Sequence, residues 1–143
     1  MLKFRRPQSP FWLVGIFAVI MAGLWLYEAL IDHQKYKALT NGERIERIEL
    51  KSLNDTSKHI SILNDTVLSQ INQAFQYFRE FEPINPKEKT GYIQMDIYKK
   101  KKWTLEFLKT THSGWATEIF TNWYQNDSVI AVLERYSILN SLQ

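Results

Sequence analysis

The chain has 143 residues, of which 45% are hydrophobic and 23% are charged, and it contains no cysteine. This length allows one folded domain with at most one further segment, and the composition is too apolar and too aromatic for a disordered chain. The absence of cysteine excludes disulfide scaffolds, thiolate nucleophiles and zinc sites that depend on sulfur.

The net charge of +3 comes mostly from the N-terminal flank. Residues 1–10 carry Lys3, Arg5 and Arg6 without an acid, whereas residues 32–143 carry 15 basic and 14 acidic side chains. A protein that binds nucleic acid through its phosphates normally has a basic surplus on the folded domain, because counterion release supplies much of the affinity. We therefore expect no nucleic-acid partner.

An apolar stretch follows the basic flank. Residues 11–31 contain a single charged side chain, Glu28. In a helix these residues span about 30 Å, which is the thickness of the hydrocarbon core of a bilayer. The stretch therefore predicts an uncleaved transmembrane signal-anchor. Aromatic residues near its ends prefer the membrane–water interfaces, and small residues lie near one face of the helix. These membrane-spanning residues are Phe11, Trp12, Gly15, Ala18, Ala22, Trp25 and Tyr27.

Two other interpretations of this stretch remain open. A cleaved secretory signal has an apolar region of about 7–15 residues that ends at a small-x-small site. The stretch here is longer and residues 25–29 offer no clear site of that kind, so the anchor is favoured. The other interpretation is a buried helix of a soluble protein. As an anchor, the helix has a small-residue face that would allow pairing with a second transmembrane helix, although the spacing is not GxxxG.

The charges around the stretch favour one orientation. The basic residues before it are close and dense, those after it are mixed with acids, and a large domain crosses the membrane largely regardless of its charge. We expect a basic cytoplasmic flank at 1–10, the anchor at 11–31, a polar stalk at 32–42 and an extracytoplasmic domain at 43–143. In a bacterium this is a single-pass protein of the cell (inner) membrane.

The domain contains alternating apolar residues of the kind that form half-buried strands. Asn64 or Asp65 is expected to cap a helix whose apolar positions repeat at 3.6-residue spacing as far as Phe81. Asn126 or Asp127 is expected to cap a second helix, which continues to about Leu139. Five strands are predicted, the first two as a hairpin, at about 44–51, 59–63, 92–98, 103–109 and 115–123.

The order β-β-α-β-β-β-α predicts an α+β fold, in which two helices pack on one face of a five-stranded antiparallel sheet. The other face then meets water or a partner, and aromatic side chains are favoured at recognition surfaces. We expect some of the aromatic residues in the strands to lie on that face. The alternative is that they fill the core. The candidates are Tyr92, Tyr98, Trp115, Trp123 and Tyr124.

A run of lysines is the second candidate for an interaction. It lies in a predicted hairpin turn and would attract phosphate groups or anionic lipid if it were a binding surface. The alternative is a solvated turn, which also discourages pairing with the edges of other sheets. The run consists of Lys99, Lys100, Lys101 and Lys102.

The search for catalytic groups finds little. The three histidines lack metal-binding spacing, and Ser113 lacks the flanking glycines of a nucleophile elbow. Asp96 and Glu106 could face each other across a hairpin, but the neighbouring lysines indicate a solvated site instead of a dry cleft. We therefore predict no catalytic residue, no metal ligand, no cofactor and no enzyme.

These observations lead to one hypothesis and one alternative. The hypothesis is a membrane-anchored protein whose non-catalytic domain binds another protein, as an accessory, assembly or immunity-like subunit. The alternative is a membrane-tethered sensor that binds a small anionic ligand or an anionic lipid, through the sheet face or the Lys99–Lys102 rim.

Overall fold

The computed structural model describes residues 11–80, 89–111, 114–119 and 122–142. It has the predicted α+β class, with a long apolar N-terminal helix followed by an antiparallel sheet and short helices. The chain divides into two compact units, one up to Lys35 and the other from Tyr36 onward.

The N-terminal helix α1 covers Phe11–Thr40 and therefore extends beyond the predicted span. In the described part of the chain it is the one helix that is long and apolar enough to cross a membrane. The side chains of residues 11–30 are exposed, including every residue singled out above for the span. The helix ends just before Gly42, whose positive φ of 75° is the conformation expected of a glycine that follows a helix.

Among the described residues the sheet has seven strands, so the prediction of five was too small. All neighbouring strands are antiparallel, in the order β2-β1-β4-β5-β6-β7-β3. The strands are β1 (Arg47–Ser52), β2 (His59–Ile62), β3 (Arg79–Glu80), β4 (Lys89–Tyr98), β5 (Lys102–Thr110), β6 (Gly114–Ile119) and β7 (Asn122–Gln125).

One additional strand arises because the predicted strand at 115–123 is two strands. Ile119 pairs with Asn122, and Thr117 pairs with Tyr124, so the chain reverses direction between β6 and β7. Hairpin turns are usually recognised by Gly, Asn or Asp at their centre. The sequence between Ile119 and Asn122 is Phe-Thr, which contains none of these residues, so the alternation predicts one continuous strand.

The other additional strand follows from a helix that is shorter than predicted. Helix α2 covers Asp65–Ala74 and continues as one 3-10 turn at Phe75–Tyr77. Phe78 then adopts extended backbone with ψ of 130°. Its side chain is still buried, so the apolar position fitted the helical spacing although the helix had ended. Arg79 and Glu80 form β3 on the edge of β7.

The helix starts agree with the sequence. The Asn64 side chain accepts hydrogen bonds from the backbone at the start of α2, and Asn126 does the same for α3 (Asp127–Arg135). The predicted continuation to Leu139 is interrupted at Ser137, which has a positive φ of 55°. A separate short helix, α4 (Ile138–Leu142), follows.

One hydrophobic core joins the described helices to one face of the sheet. Its apolar residues come from alternate positions of the strands, from α2, α3 and α4, and from the last turn of α1, where Leu39 is fully buried. Tyr36, one turn earlier, stacks on Tyr124 at 5.4 Å between ring centroids. The members with the largest fully buried side chains are Phe75, Leu39, Ile48, Leu50, Ile71, Met95, Ile97 and Leu133.

Candidate functional site on the open face of the sheet

The face of the sheet opposite the core is polar and charged over β1, β4 and β5. We call it the open face. The registers place Glu49 beside Asp96, and Asp96 beside Thr104, so these three side chains form one row across the strands. The residues of this face on the three strands are Arg47, Glu49, Lys51, Tyr92, Gln94, Asp96, Tyr98, Lys102, Thr104, Glu106 and Leu108.

Asp96 is the centre of a hydrogen-bonded network on the open face, and its side chain is only 1% exposed. One carboxylate oxygen accepts hydrogen bonds from Gln94 Nε2 at 2.9 Å and from Thr104 Oγ1 at 2.8 Å. The other oxygen lies 2.9 Å from Lys102 Nζ and 3.7 Å from Lys51 Nζ. A buried carboxylate is costly unless it is paired and hydrogen-bonded, and this one is both.

The pKa of Asp96 reflects two opposed effects. Burial raises it, whereas the Lys102 ammonium and the hydrogen bonds from Gln94 and Thr104 lower it, and the net result lies below the ordinary value. The same contact raises the pKa of Lys102. Both groups are therefore charged near neutral pH.

Tyr98 lies between two cations. The Arg47 guanidinium is 4.0 Å from its ring centroid and the Lys102 ammonium is 5.4 Å away, which is within the range of cation–π attraction. The phenol donates a hydrogen bond to Glu49 at 3.0 Å. On the same face the Tyr92 phenol donates to Glu106, which raises the pKa of Tyr92 to about 12. The aromatic rings of β4 are thus held in place by their neighbours.

The five aromatic candidates divide between the two faces. Tyr92, Tyr98 and Trp123 lie on the open face, where each is half-buried. Trp115 is 6% exposed and belongs to the core, and Tyr124 packs against the core. A single continuous strand at 115–123 would place Trp115 and Trp123 on one face and Tyr124 on the other. The reversal between β6 and β7 instead places Trp123 on the open face and Tyr124 against the core.

The four lysines of the turn do not form one cationic surface. Lys99 is 5% exposed and its ammonium donates to the Leu39 carbonyl at 2.7 Å, at the C-terminal end of α1. Burial lowers the pKa of Lys99. Lys100 pairs with Glu43 at 2.9 Å, and Lys102 belongs to the Asp96 network. Within the described residues Lys101 is the one lysine of the four whose ammonium has neither an ion pair nor a hydrogen bond.

The open face offers limited chemistry for catalysis. Asp96 is not directly opposite Glu106, because it pairs with Thr104 in the register while Glu106 pairs with Gln94. The described residues contain no group of three or more His, Asp or Glu side chains that would hold a metal ion. On the open face the charged side chains and the tyrosine rings of β4 are held by contacts with one another.

Sequence reasoning missed the role of Asp96 as the centre of the network, and that of Lys51 and Thr104 as its partners. The available signal was the alternation of polar residues along β1, β4 and β5, which places them on one face. The pairing of β1 with β4 was not predictable from local pattern, because about forty residues separate the two strands.

Comparison of the chain with protein-family models, with curated proteins and with solved structures finds no match.

Proposed function

We propose that this chain is a single-pass membrane protein whose C-terminal domain binds another protein through the open face. In this proposal the N-terminus is cytoplasmic, the domain is extracytoplasmic and the protein is an accessory, assembly or immunity-like subunit without catalytic activity. The observation that carries the proposal is the open face itself, where half-buried aromatic rings and charged side chains are fixed by mutual contacts.

The anchor is supported by the surface of α1. Twenty consecutive residues, 11–30, expose mostly apolar side chains. An exposed apolar surface of this length is unfavourable in water and favourable in the hydrocarbon core of a bilayer. Such an anchor keeps the domain close to the membrane surface, where its partner would also be found.

The chemistry of the open face supports recognition of a protein. Tyr, Trp and Arg are the residue types enriched in the energetically dominant positions of protein interfaces, and the face presents Tyr98, Trp123 and Arg47. Long side chains lose rotamer entropy when they bind. The contacts among Arg47, Tyr98 and Lys102 restrict that freedom before a partner arrives, so less affinity is lost.

The contacts of the lysine turn favour a protein partner over a small anionic ligand. An anion would need free cationic groups, whereas Lys99 is bound to a carbonyl, Lys100 to Glu43 and Lys102 to Asp96. Protein interfaces accommodate compensated charges of this kind around a less polar centre.

Site-specific photo-crosslinking in membranes tests the proposed interface. A photoreactive amino acid at Lys51, on the open face, should give a discrete adduct of defined mass, whereas the same amino acid at Gln73, exposed on α2, should not. Arg47→Ala should weaken the adduct and Arg135→Ala, on α3, should not. Equal adducts from both positions, or no adduct from the open face in the native host, would contradict the proposal.

The absence of cysteine allows a clean test of orientation. Lys101→Cys places a thiol in an exposed turn, and a maleimide that cannot cross the inner membrane should label it in spheroplasts. Protection until the cells are lysed would place the domain in the cytosol and refute the extracytoplasmic location.

A further inference from the structure

A cavity of about 220 Å³ lies at one end of the sheet, on the core side. It is bounded by the turn after β1, the start of β4, the end of β5 and the last residue of α4. The residues that matter for its chemistry are Asp55, Gly91, Lys109 and Trp115. Of the residues assigned to the open face, Tyr92 also lines this cavity.

Trp115 forms a fixed wall of this cavity. The residue is buried, and its indole lies so close to Gly91 that a Cβ atom there would be 2.9 Å from Trp115 Cη2. Only glycine leaves the space for this contact. A rigid aromatic wall of this type provides an apolar surface for a small side chain.

The cavity also carries two opposite charges that are not paired with each other. Among the described ion pairs Lys109 has no carboxylate partner; its ammonium lies 5.7 Å from the Trp115 ring centroid. The Asp55 carboxylate accepts two hydrogen bonds from Ser57, from the backbone at 3.1 Å and from the hydroxyl at 2.6 Å, both on one oxygen. These bonds lower the pKa of Asp55, so it is ionised at neutral pH.

We propose that this cavity binds a small zwitterion of the α-amino acid class with an apolar side chain. Lys109 pairs with the carboxylate of the ligand, Asp55 with its ammonium group, and Trp115 contacts the side chain. A volume of 220 Å³ corresponds to about seven water-sized groups, which suits a single amino acid and is too small for a drug-sized ligand. The proposal is independent of the proposed protein partner.

Isothermal titration calorimetry on the purified full-length protein in detergent tests this proposal, with L-valine, L-leucine and L-phenylalanine as probes. At least one probe should bind. Its N-acetyl derivative, which lacks the ammonium group, and its amide, which lacks the carboxylate, should each bind about tenfold more weakly, because a charged partner is left unpaired. No heat from any of the three at about 10 mM, well above a millimolar Kd, would overturn the proposal.

Two conservative variants locate the site. Lys109→Gln and Asp55→Asn should each weaken the bound probe about tenfold, whereas the matched surface variants Lys101→Gln and Asp65→Asn should leave its affinity unchanged. Both charged groups lie at the surface of the fold, so the variants are expected to remain folded, and unfolding curves of the variants check this. Binding that is unaffected in Lys109→Gln and Asp55→Asn, or equally weakened in the surface variants, would refute the assignment.

Discussion

The last turn of α1 belongs to the core of the domain, and Leu39→Ala measures how much it contributes to stability. Leu39 is fully buried. Replacing a buried leucine by alanine costs about 2–5 kcal/mol, because apolar contacts are lost and a cavity remains. We expect about 3 kcal/mol here. For a domain of about 100 residues that corresponds to a fall in Tm of about 12–24 °C.

The measurement is thermal or urea unfolding of the full-length protein in detergent, followed by near-UV circular dichroism, which reports packing of the aromatic residues. Leu63→Ala is the matched control, because Leu63 is 67% exposed and the same chemical change there should alter the free energy of unfolding by less than about 0.5 kcal/mol. If Leu39→Ala behaves like Leu63→Ala, the last turn of α1 is a stalk outside the core and our reasoning is wrong.

Three further predictions concern single residues. The pKa of Asp96 in the folded chain lies below its ordinary value of 3.8, so at pH values between these two pKa values the unfolded chain binds more protons than the folded chain. The free energy of unfolding therefore falls as the pH drops through that window. Asp96→Asn should remove this part of the acid sensitivity of Tm. Asn126→Ala should lower the free energy of unfolding by about 2 kcal/mol or more, because the buried amide caps α3 and also donates to a carbonyl of α2 at 2.7 Å. Asn64→Ala, which removes an exposed cap, should lower it by about 1 kcal/mol. Urea unfolding compares the two variants, and equal losses would contradict the second role of Asn126. Gly91→Ala should lower the free energy of unfolding by about 1–3 kcal/mol, because the methyl group of the alanine would displace Trp115. An unchanged urea midpoint and an unchanged tryptophan emission would show that the contact between Gly91 and Trp115 is not tight.

The α+β class and the core-facing positions of β1, β2 and β4 were predictable from sequence, because apolar and polar residues alternate there, whereas Leu108 breaks the alternation in β5. The helix starts were predictable because Asn64 and Asn126 are residues that caps select. Two features had no local signal. The hairpin between β6 and β7 has no residue typical of a turn, and Phe78 is apolar at a helical spacing although its backbone is extended.

The candidate site was less predictable than the fold. Local pattern places Tyr98 on one face of its strand but does not reveal that Arg47, from a distant strand, lies over its ring. Likewise, four consecutive lysines are indistinguishable in sequence, whereas the fold buries Lys99 against a helix end and leaves Lys101 exposed. Both outcomes depend on pairings between segments that are far apart in the chain.

The strand order has a consequence for synthesis of the protein on the ribosome. Strands β4 to β7 are neighbours both in the chain and in the sheet, whereas β2 and β3 form the two outer edges and α2 connects them. Side-chain hydrogen bonds between paired strands join residues 49 positions apart between β1 and β4, and 46 positions apart between β3 and β7. The hairpin of β1 and β2 therefore emerges before β4, with which β1 pairs, and β3 emerges before β7. At translation rates of about 5–20 residues per second, β3 waits for several seconds before β7 is made, and a nascent chain that stops before Asn122 holds β3 without the strand that it pairs with.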